Sequence, residues 1–358
     1  MHSRSWGGAE SYLVQLAGWQ KAAGLDVVIW CLPESPIHQE AQRRHLPVIT
    51  DWLPRRLTLW GLPSLARVIR REAFSHVQIH WSGGVMTFAG IKYLRSVQVY
   101  YHPHMFIDYP KKDIFHRWAY GQLDRIYVAG DRAKRSYLKN LPVHDRQISQ
   151  VSYGLELPSR DMTSSVPAFQ RWNLPPGNFY AGFMGRIDRQ KGLLEFLQAA
   201  IPLLERFPKL NLVIVGEPTR NEADSLKYQE EVENFLLAAP HHERIHRWGF
   251  QKDFRSLLQC LDVLVMPSYQ ETYSLMIINA FAVGVPVLST NDGGTPDLIG
   301  EQQERGWLVP PRTVTPLRDV LENLLQHPEQ ISEKKNGCIT YAHSHHDYQE
   351  IIKKFDYQ

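Results

Sequence analysis

Short, almost wholly apolar runs recur along this chain, separated by stretches with helical spacing. VQIHW (77–81), VQVYYH (97–102) and RIYVAG (125–130) come first; YAGFMG (180–185), LNLVIVG (210–216), DVLVMP (262–267) and VPVLST (285–290) repeat the theme. Strands without polar alternation are buried on both faces, as in a parallel sheet between two helical layers. The chain therefore reads as doubly wound α/β. The pattern breaks at SRDMTSSVPAFQRWNLPPGN (159–178), which is polar and holds three of the 23 prolines. That composition predicts an interdomain linker. The expected layout is a Rossmann-like domain over 1–158, the linker over 159–178, and a second Rossmann-like domain over 179–340. A C-terminal helix over 341–358 is expected to pack back on the first domain. Two such sheets imply two domains facing a cleft. No internal repeat or low-complexity tract is visible.

The start of the chain departs from the pattern. WGGAESYLVQLAGWQKAAG (6–24) is a glycine turn feeding an amphipathic helix, with Leu13, Leu16, Ala17 and Gln20 at i, i+3, i+4 and i+7. In a doubly wound domain such a turn follows the first strand, yet only six residues precede Gly7 and MHSRSW is not a strand. Either the domain lacks that strand or the true start lies roughly ten residues upstream, a strand plus a loop. The second is the expectation.

Composition narrows the picture little. At 358 residues, with 43% hydrophobic positions, the chain has material for about two cores. A net charge of +3 is too weak to argue for nucleic acid. The cations are uneven, however: Arg43–Arg44, Arg55–Arg56, Arg67, Arg70–Arg71, Lys111–Lys112 and Arg117 all lie in the first third. They read either as a solvated surface or as a face for anionic lipid or an anionic acceptor. Cys31, Cys260 and Cys338 are too far apart for a zinc motif and odd in number, which points to a reducing compartment. No apolar run is long enough to span a membrane and no leader peptide is visible, so the expectation is a cytoplasmic protein, with peripheral membrane contact as an extension.

Parallel sheets bind ligands at the carboxyl ends of their strands, and four such ends carry chemistry. FMGRIDRQKGLLEF (183–196) sets Arg186 and Lys191 around a turn that opens a helix, an arrangement suited to a diphosphate. SYQETYSLMIINAFA (268–282) places Glu271 at a strand-to-helix turn, either as a plain capping carboxylate or as a ligand contact. Asn279 follows eight residues on, on roughly the same helix face. It is either a ligand contact or a buried amide bonded to backbone. STNDGGTPDLIG (289–300) carries Gly293 and Gly294, which permit close approach of backbone to a ligand. YYHPH (100–104) sets His102 and His104 at a strand end; a metal site there lacks a third ligand. His241–His242 and His343 to His346 sit in polar surroundings and read as solvated.

Together these segments resemble the retaining family-4 glycosyltransferases of the GT-B fold. GRIDRQKG is similar to the family's basic diphosphate loop, and ETYSLMIIN to its signature of two glutamates seven residues apart. GGAES (7–11) resembles the N-terminal glycine loop, YYHPH the segment with the N-domain histidine, and VSYGLEL (151–157) the start of the hinge. The resemblance implies that Glu271 contacts hydroxyls of the transferred sugar. It also implies that Asn279, standing where the family has its second glutamate, meets the ribose.

Carried over residue by residue, the resemblance makes His102, Glu271, Arg186 and Lys191 the catalytic set. Gly7, Gly8, Tyr273, Ser274 and Asn279 then complete donor binding with Arg186, Lys191 and Glu271. The implied reaction moves a sugar from a nucleoside diphosphate sugar to a hydroxyl of a glycan or glycolipid, with retention. It requires no cofactor and no metal, because cations and a helix N-terminus near Tyr273–Ser274 stabilise the departing diphosphate. A bacterial surface polysaccharide, lipopolysaccharide or lipid-linked glycan is the expected product. Two rival readings are a nucleotide-sugar epimerase on the same fold and a non-catalytic or truncated relative.

Overall fold

The computed structural model describes residues 1–53, 61–158, 166–219 and 222–355, with backbone alone for Val166 and Pro167. The expected Arg55–Arg56 pair and the first part of the expected linker, 159–165, lie outside the described residues. The chain divides into two compact units. One comprises Met1–Gly154 with Tyr348–Gln358, the other Leu155–Asp347.

In the first unit, β1 (Ile29–Trp30) pairs with β2 (Val48–Ile49), and β3 (His76–Ile79), β4 (Gln98–Tyr101), β5 (Arg125–Val128) and β6 (Ile148–Gln150) form a separate sheet in that order. Every ladder is parallel. The interior strands β4 and β5 are buried at nearly every position, which is why they read as unbroken apolar runs. Helices Leu62–Arg71, Ser82–Ile91 and Ile114–Gly121 close one core over this sheet around Leu65, Phe88, Val99, Ala119 and Ile126. Helix Gly8–Ala22 packs Leu13, Val14 and Ala17 with Ile29, Ile37 and Ala41 in a second cluster. Its buried face is wider than the predicted stripe, since Tyr12, Val14 and Trp19 are buried as well. No strand precedes β1 among the described residues.

The second unit has one parallel sheet of six strands in the order β12-β11-β10-β7-β8-β9. They are β7 (Phe179–Met184), β8 (Leu210–Val215), β9 (Ile245–Trp248), β10 (Val263–Met266), β11 (Val287–Thr290) and β12 (Gly306–Val309). The order reverses between β7 and β10, the position where open α/β sheets bind ligands. Helix Leu193–Arg206 lays Phe196, Leu197, Ala200 and Leu204 on the sheet. Helix Thr315–Gln326 adds Leu317, Leu321 and Leu324 to the same cluster.

The described part of the expected linker includes helix Val166–Arg171. Its neighbours are in the second unit: Arg171 pairs with Asp253, and the Trp172 indole donates to Ser256. Within the expected C-terminal helix the chain changes element. Helix Glu329–His345 ends there and Tyr348–Ile352 begins a new one, grouped with the first unit.

Candidate functional site

At the carboxyl end of β7 the chain turns through Gly185 and Arg186. The Arg186 guanidinium donates to Thr219 Oγ1 at 2.9 Å and lies 3.1 Å from Asp188. Thr219 and Ser225 in turn donate to Asp188, so the acid is a fixed hub and the half-exposed guanidinium is held by it. A 3-10 turn, Arg189–Lys191, then leads into Gly192 at φ +73°. A Cβ on Gly192 would stand 2.3 Å from Pro267 O, so only glycine lets this loop close on the end of β10. The closure is completed by Tyr269 N donating to Gln190 O at 2.8 Å.

This closure brings two predicted residues together. Lys191 Nζ lies 2.5 Å from Glu271 Oε2, with both side chains largely buried. Glu271 does not cap the helix: Ser274 does, accepting from Ile277 N. The Glu271 backbone is held from the β11 side, where Gly294 N donates to Glu271 O at 2.7 Å. A Cβ on Gly293 would come 2.2 Å from Glu271 O, and one on Gly294 would come 2.0 Å from Thr272 O. The bareness of the glycine pair admits the loop of Glu271 and Thr272. Tyr273 is buried immediately before the capping serine.

Asn279 lies 5% exposed within helix Leu275–Ala282. Its Oδ1 accepts from Arg255 Nε at 2.7 Å and its Nδ2 donates to Leu275 O at 2.7 Å. Arg255 also donates to Glu156 O at 2.8 Å. Burial lowers the Arg255 pKa, while nearby Glu156 opposes that shift. The amide is thus held by protein on both sides. Arg255 could not be anticipated, because nothing in its surroundings ties it to a residue 24 positions away.

In the first unit the histidines after β3 and β4 form a cluster. His80 Nδ1 is 3.0 Å from His104 Nε2, and His104 Nδ1 is 2.7 Å from the Tyr153 hydroxyl. His102 stacks on His80 with ring centroids 4.6 Å apart, and its buried Nε2 has no hydrogen-bond partner among the described residues. Burial lowers His102 to about 3 and His104 to about 4, and pushes His80 well below its ordinary value; the neighbouring rings reinforce the shifts of His80 and His102. The rings are therefore neutral at pH 7. Gly7 caps helix Gly8–Ala22 by accepting from Ser11 N. That helix delivers Tyr12, stacked on Tyr153 at 4.3 Å, to the cluster. Sequence reasoning missed His80 and Tyr153; the alternation HVQIH at the end of β3 was the available signal.

Among the described residues no group of three or more His, Cys, Asp or Glu side chains is placed to hold a metal ion, and no helix is long and apolar enough to cross a membrane. His346 corrects a further expectation. It is fully buried, packed beside Tyr273 and Tyr341, whereas His345 is exposed as predicted.

Comparison with known proteins bears on these arrangements. The Glycosyl transferases group 1 family matches residues 167–345 and Glycosyltransferase Family 4 matches residues 6–157. A D-inositol 3-phosphate glycosyltransferase of Arthrobacter sp. (strain FB24) is 33% identical over 192 residues, 52% of this chain and 44% of that protein. The lipopolysaccharide core biosynthesis mannosyltransferase LpsB of Rhizobium meliloti (strain 1021) is 28% identical over 153 residues, 42% of each chain. These alignments span less than half the length of those curated relatives. Among solved structures, Anabaena Alr3699/HepE in complex with UDP-glucose superposes with a TM-score of 0.80 at 15% identity, covering 99% of this chain and 96% of that one. A glycosyltransferase from Rickettsia africae ESF-5 superposes with a TM-score of 0.84 at 15% identity, covering 99% and 94%. The parallel sheets, the strand reversal between β7 and β10 and the two matched segments agree: this chain has the GT-B fold and belongs to the family-4, group 1 glycosyltransferases.

Proposed function

We propose that this chain transfers a sugar, with retention, from a nucleoside diphosphate sugar to a hydroxyl of a glycan or glycolipid. The observation that carries the reading is the Lys191–Glu271 pair, where the loops after β7 and β10 meet at the strand reversal. A cation for a diphosphate and a carboxylate for sugar hydroxyls are adjacent there, as the two halves of a sugar diphosphate require. Structures of similar fold include one with UDP-glucose, and relatives include a mannosyltransferase, which supports a hexosyl donor.

Breaking the anomeric C–O bond places negative charge on the leaving diphosphate. Lys191, Arg186 and the N-terminus of helix Leu275–Ala282 supply charge to stabilise it, in a role that magnesium fills elsewhere. Donor binding draws Lys191 toward phosphate and leaves Glu271 free to hold the sugar. Gly7 and Gly8 contribute backbone to donor binding. Neutral His102 orients the sugar through its unsatisfied Nε2. The leaving phosphate takes the proton of the acceptor hydroxyl, giving same-face attack without a covalent intermediate. The proposed setting is the cytoplasmic side of a bacterial membrane, in synthesis of surface polysaccharide, lipopolysaccharide or a lipid-linked glycan.

A second reading is favoured by one observation. The Asn279 amide is already engaged by Arg255 and Leu275, as expected of a relative that binds without turning over. A panel of sugar nucleotides, assayed for released nucleotide with and without chelator, separates the two. Release from one donor, insensitive to chelator, supports transfer; no release from any donor supports the second reading.

A further inference from the structure

Four consecutive residues after β10 are each tied to another element. Ser268 O accepts from Thr290 Oγ1 at 2.6 Å, Tyr269 N donates to Gln190 O at 2.8 Å, Gln270 N donates to Asp292 Oδ2 at 3.1 Å, and Glu271 O accepts from Gly294 N at 2.7 Å. Gln270 is exposed, yet its backbone stands at φ +54°, in the left-handed region that residues other than glycine, asparagine and aspartate seldom adopt. Such a conformation persists where its surroundings over-determine it. Here it falls on the residue directly before Glu271, so the turn at Gln270 sets the direction in which the Glu271 side chain leaves the backbone.

The Tyr269 hydroxyl adds a tie that backbone bonding does not supply. It donates to Glu195 Oε1, across 74 positions. Glu195 is the third residue of helix Leu193–Arg206, where an acid ordinarily turns back on the helix's own first amides. Two of the amides at this helix start are engaged elsewhere: Gly192 N donates to Arg189 O at 3.2 Å, and Leu194 N to the Tyr228 hydroxyl at 2.9 Å. The second Glu195 oxygen, Oε2, is buried with no hydrogen-bond partner among the described residues. A half-satisfied buried carboxylate is a cost that packing alone does not call for, since a leucine would fill the place. Burial, reinforced by Glu195, pushes the Tyr269 phenol well above its ordinary value, so the phenol stays a donor. Arg312, over the ring at 5.0 Å from its centroid, opposes that shift.

We propose, on the reading that Glu271 meets the transferred sugar, that Tyr269 and Glu195 are positioning residues: they hold Gln270 in its left-handed turn and so aim the Glu271 carboxylate. This clamp acts on Glu271 and not on the cation beside it. Lys191 is set by its own turn, where Lys191 N donates to Asp188 O at 2.8 Å, a bond that does not pass through the Tyr269 hydroxyl. Loosening the clamp should therefore spoil the placing of the sugar and spare the hold on the diphosphate.

The test is Tyr269→Phe in the full chain, read by amide exchange and by kinetics, with thermal melts to confirm that each variant is folded. Exchange at the Gly294 amide, which donates to Glu271 O, should rise about tenfold. With a donor that is turned over, kcat should fall about tenfold or more, while affinity for the nucleoside diphosphate product stays within about twofold. Gln270→Gly in the Tyr269→Phe background removes the strain of the left-handed turn and should recover both exchange and kcat. A bond that merely stabilised the fold would not be replaced by that change. Gln270→Val, which opposes the turn and leaves the clamp in place, should reproduce the Tyr269→Phe result. Tyr228→Phe removes a hydroxyl at the start of the same helix and should leave exchange at Gly294 unchanged. Normal exchange and kcat in Tyr269→Phe, losses that Gln270→Gly does not recover, or an equal effect of Tyr228→Phe would overturn the proposal. If no donor is turned over, the transfer reading fails, and the exchange rates still decide whether the clamp holds Glu271.

Discussion

Replacing Asn279 by glutamate tests whether the amide belongs to a protein-internal pair. A carboxylate at this 5% exposed position would ordinarily be costly, about 3–5 kcal/mol if left unpaired. Here Arg255 Nε already lies 2.7 Å from the Asn279 oxygen. The substitution converts a hydrogen bond between an ion and a neutral group into one between two ions, a gain of about 1 kcal/mol. It loses the Nδ2 bond to Leu275 O, which costs about 1 kcal/mol because that carbonyl keeps its helical partner. The two terms roughly cancel, so Asn279→Glu alone should change stability by no more than about 1 kcal/mol. In an Arg255→Gln background the same substitution buries an unmatched charge and should cost about 3 kcal/mol, a drop of roughly 6–12 °C in the melting of a unit of this size. Thermal melts of wild type, both single variants and the double variant close the cycle. If Asn279→Glu alone lowered the melting temperature as much as it does beside Arg255→Gln, the pairing argument would be refuted. Donor titrations on the same proteins then report whether a carboxylate held by Arg255 still meets ribose.

Lys191→Ala and Arg186→Ala should each lower turnover by one to two orders of magnitude, about 1.4–3 kcal/mol of leaving-group stabilisation, with melting little changed; near-normal rates in both would remove the diphosphate assignment. Turnover should persist in chelator, and strict dependence on added magnesium or manganese would contradict the leaving-group account. Gly294→Ala places a Cβ 2.0 Å from Thr272 O and should destabilise the second unit and weaken donor binding together, whereas a normal melt would show that the loop relaxes freely. The buried histidines set a pH dependence. Their folded pKa values lie below about 6.5, so the unfolded chain binds more protons in acid, and stability present above that pH is lost as pH falls toward about 4. The slope should approach about 1.4 kcal/mol per pH unit for each ring, and melting of the first unit that is indifferent between pH 7 and 5 would argue against the cluster.

Most of the strands legible in the sequence are buried ones; β3, an edge strand only partly buried, was legible too, through the run VQIHW. β4, β5, β7, β8, β10 and β11 are apolar because helices cover both faces, and each was found within two residues of its bounds. β9 and β12 escaped because they are edge strands, and IHRW and GWLV are only partly buried. β1 and β2 are two residues each, too short for any period to register. At the proposed site, Arg186, Lys191 and Glu271 are candidates in the sequence because their type and their place at strand ends name a chemistry. The 2.5 Å contact between Lys191 and Glu271 was not legible, because it joins residues 80 positions apart through two loops that glycine alone lets close. The same holds for His80 with His104 and for Arg255 with Asn279. Pairings across a sheet edge or between short helices leave no periodic trace in one sequence.

We propose that the loops after β7 and β10 hold the diphosphate of a sugar nucleotide, with Lys191 as a principal cation. Calorimetric titration of the nucleoside diphosphate product into wild type and Lys191→Ala, both in chelator, tests it most directly. Wild type should bind saturably without metal, and a folded Lys191→Ala protein at least tenfold more weakly, the loss of about one charge-assisted contact. Equal affinity in the two proteins, or binding to wild type only when a divalent metal is supplied, would contradict it.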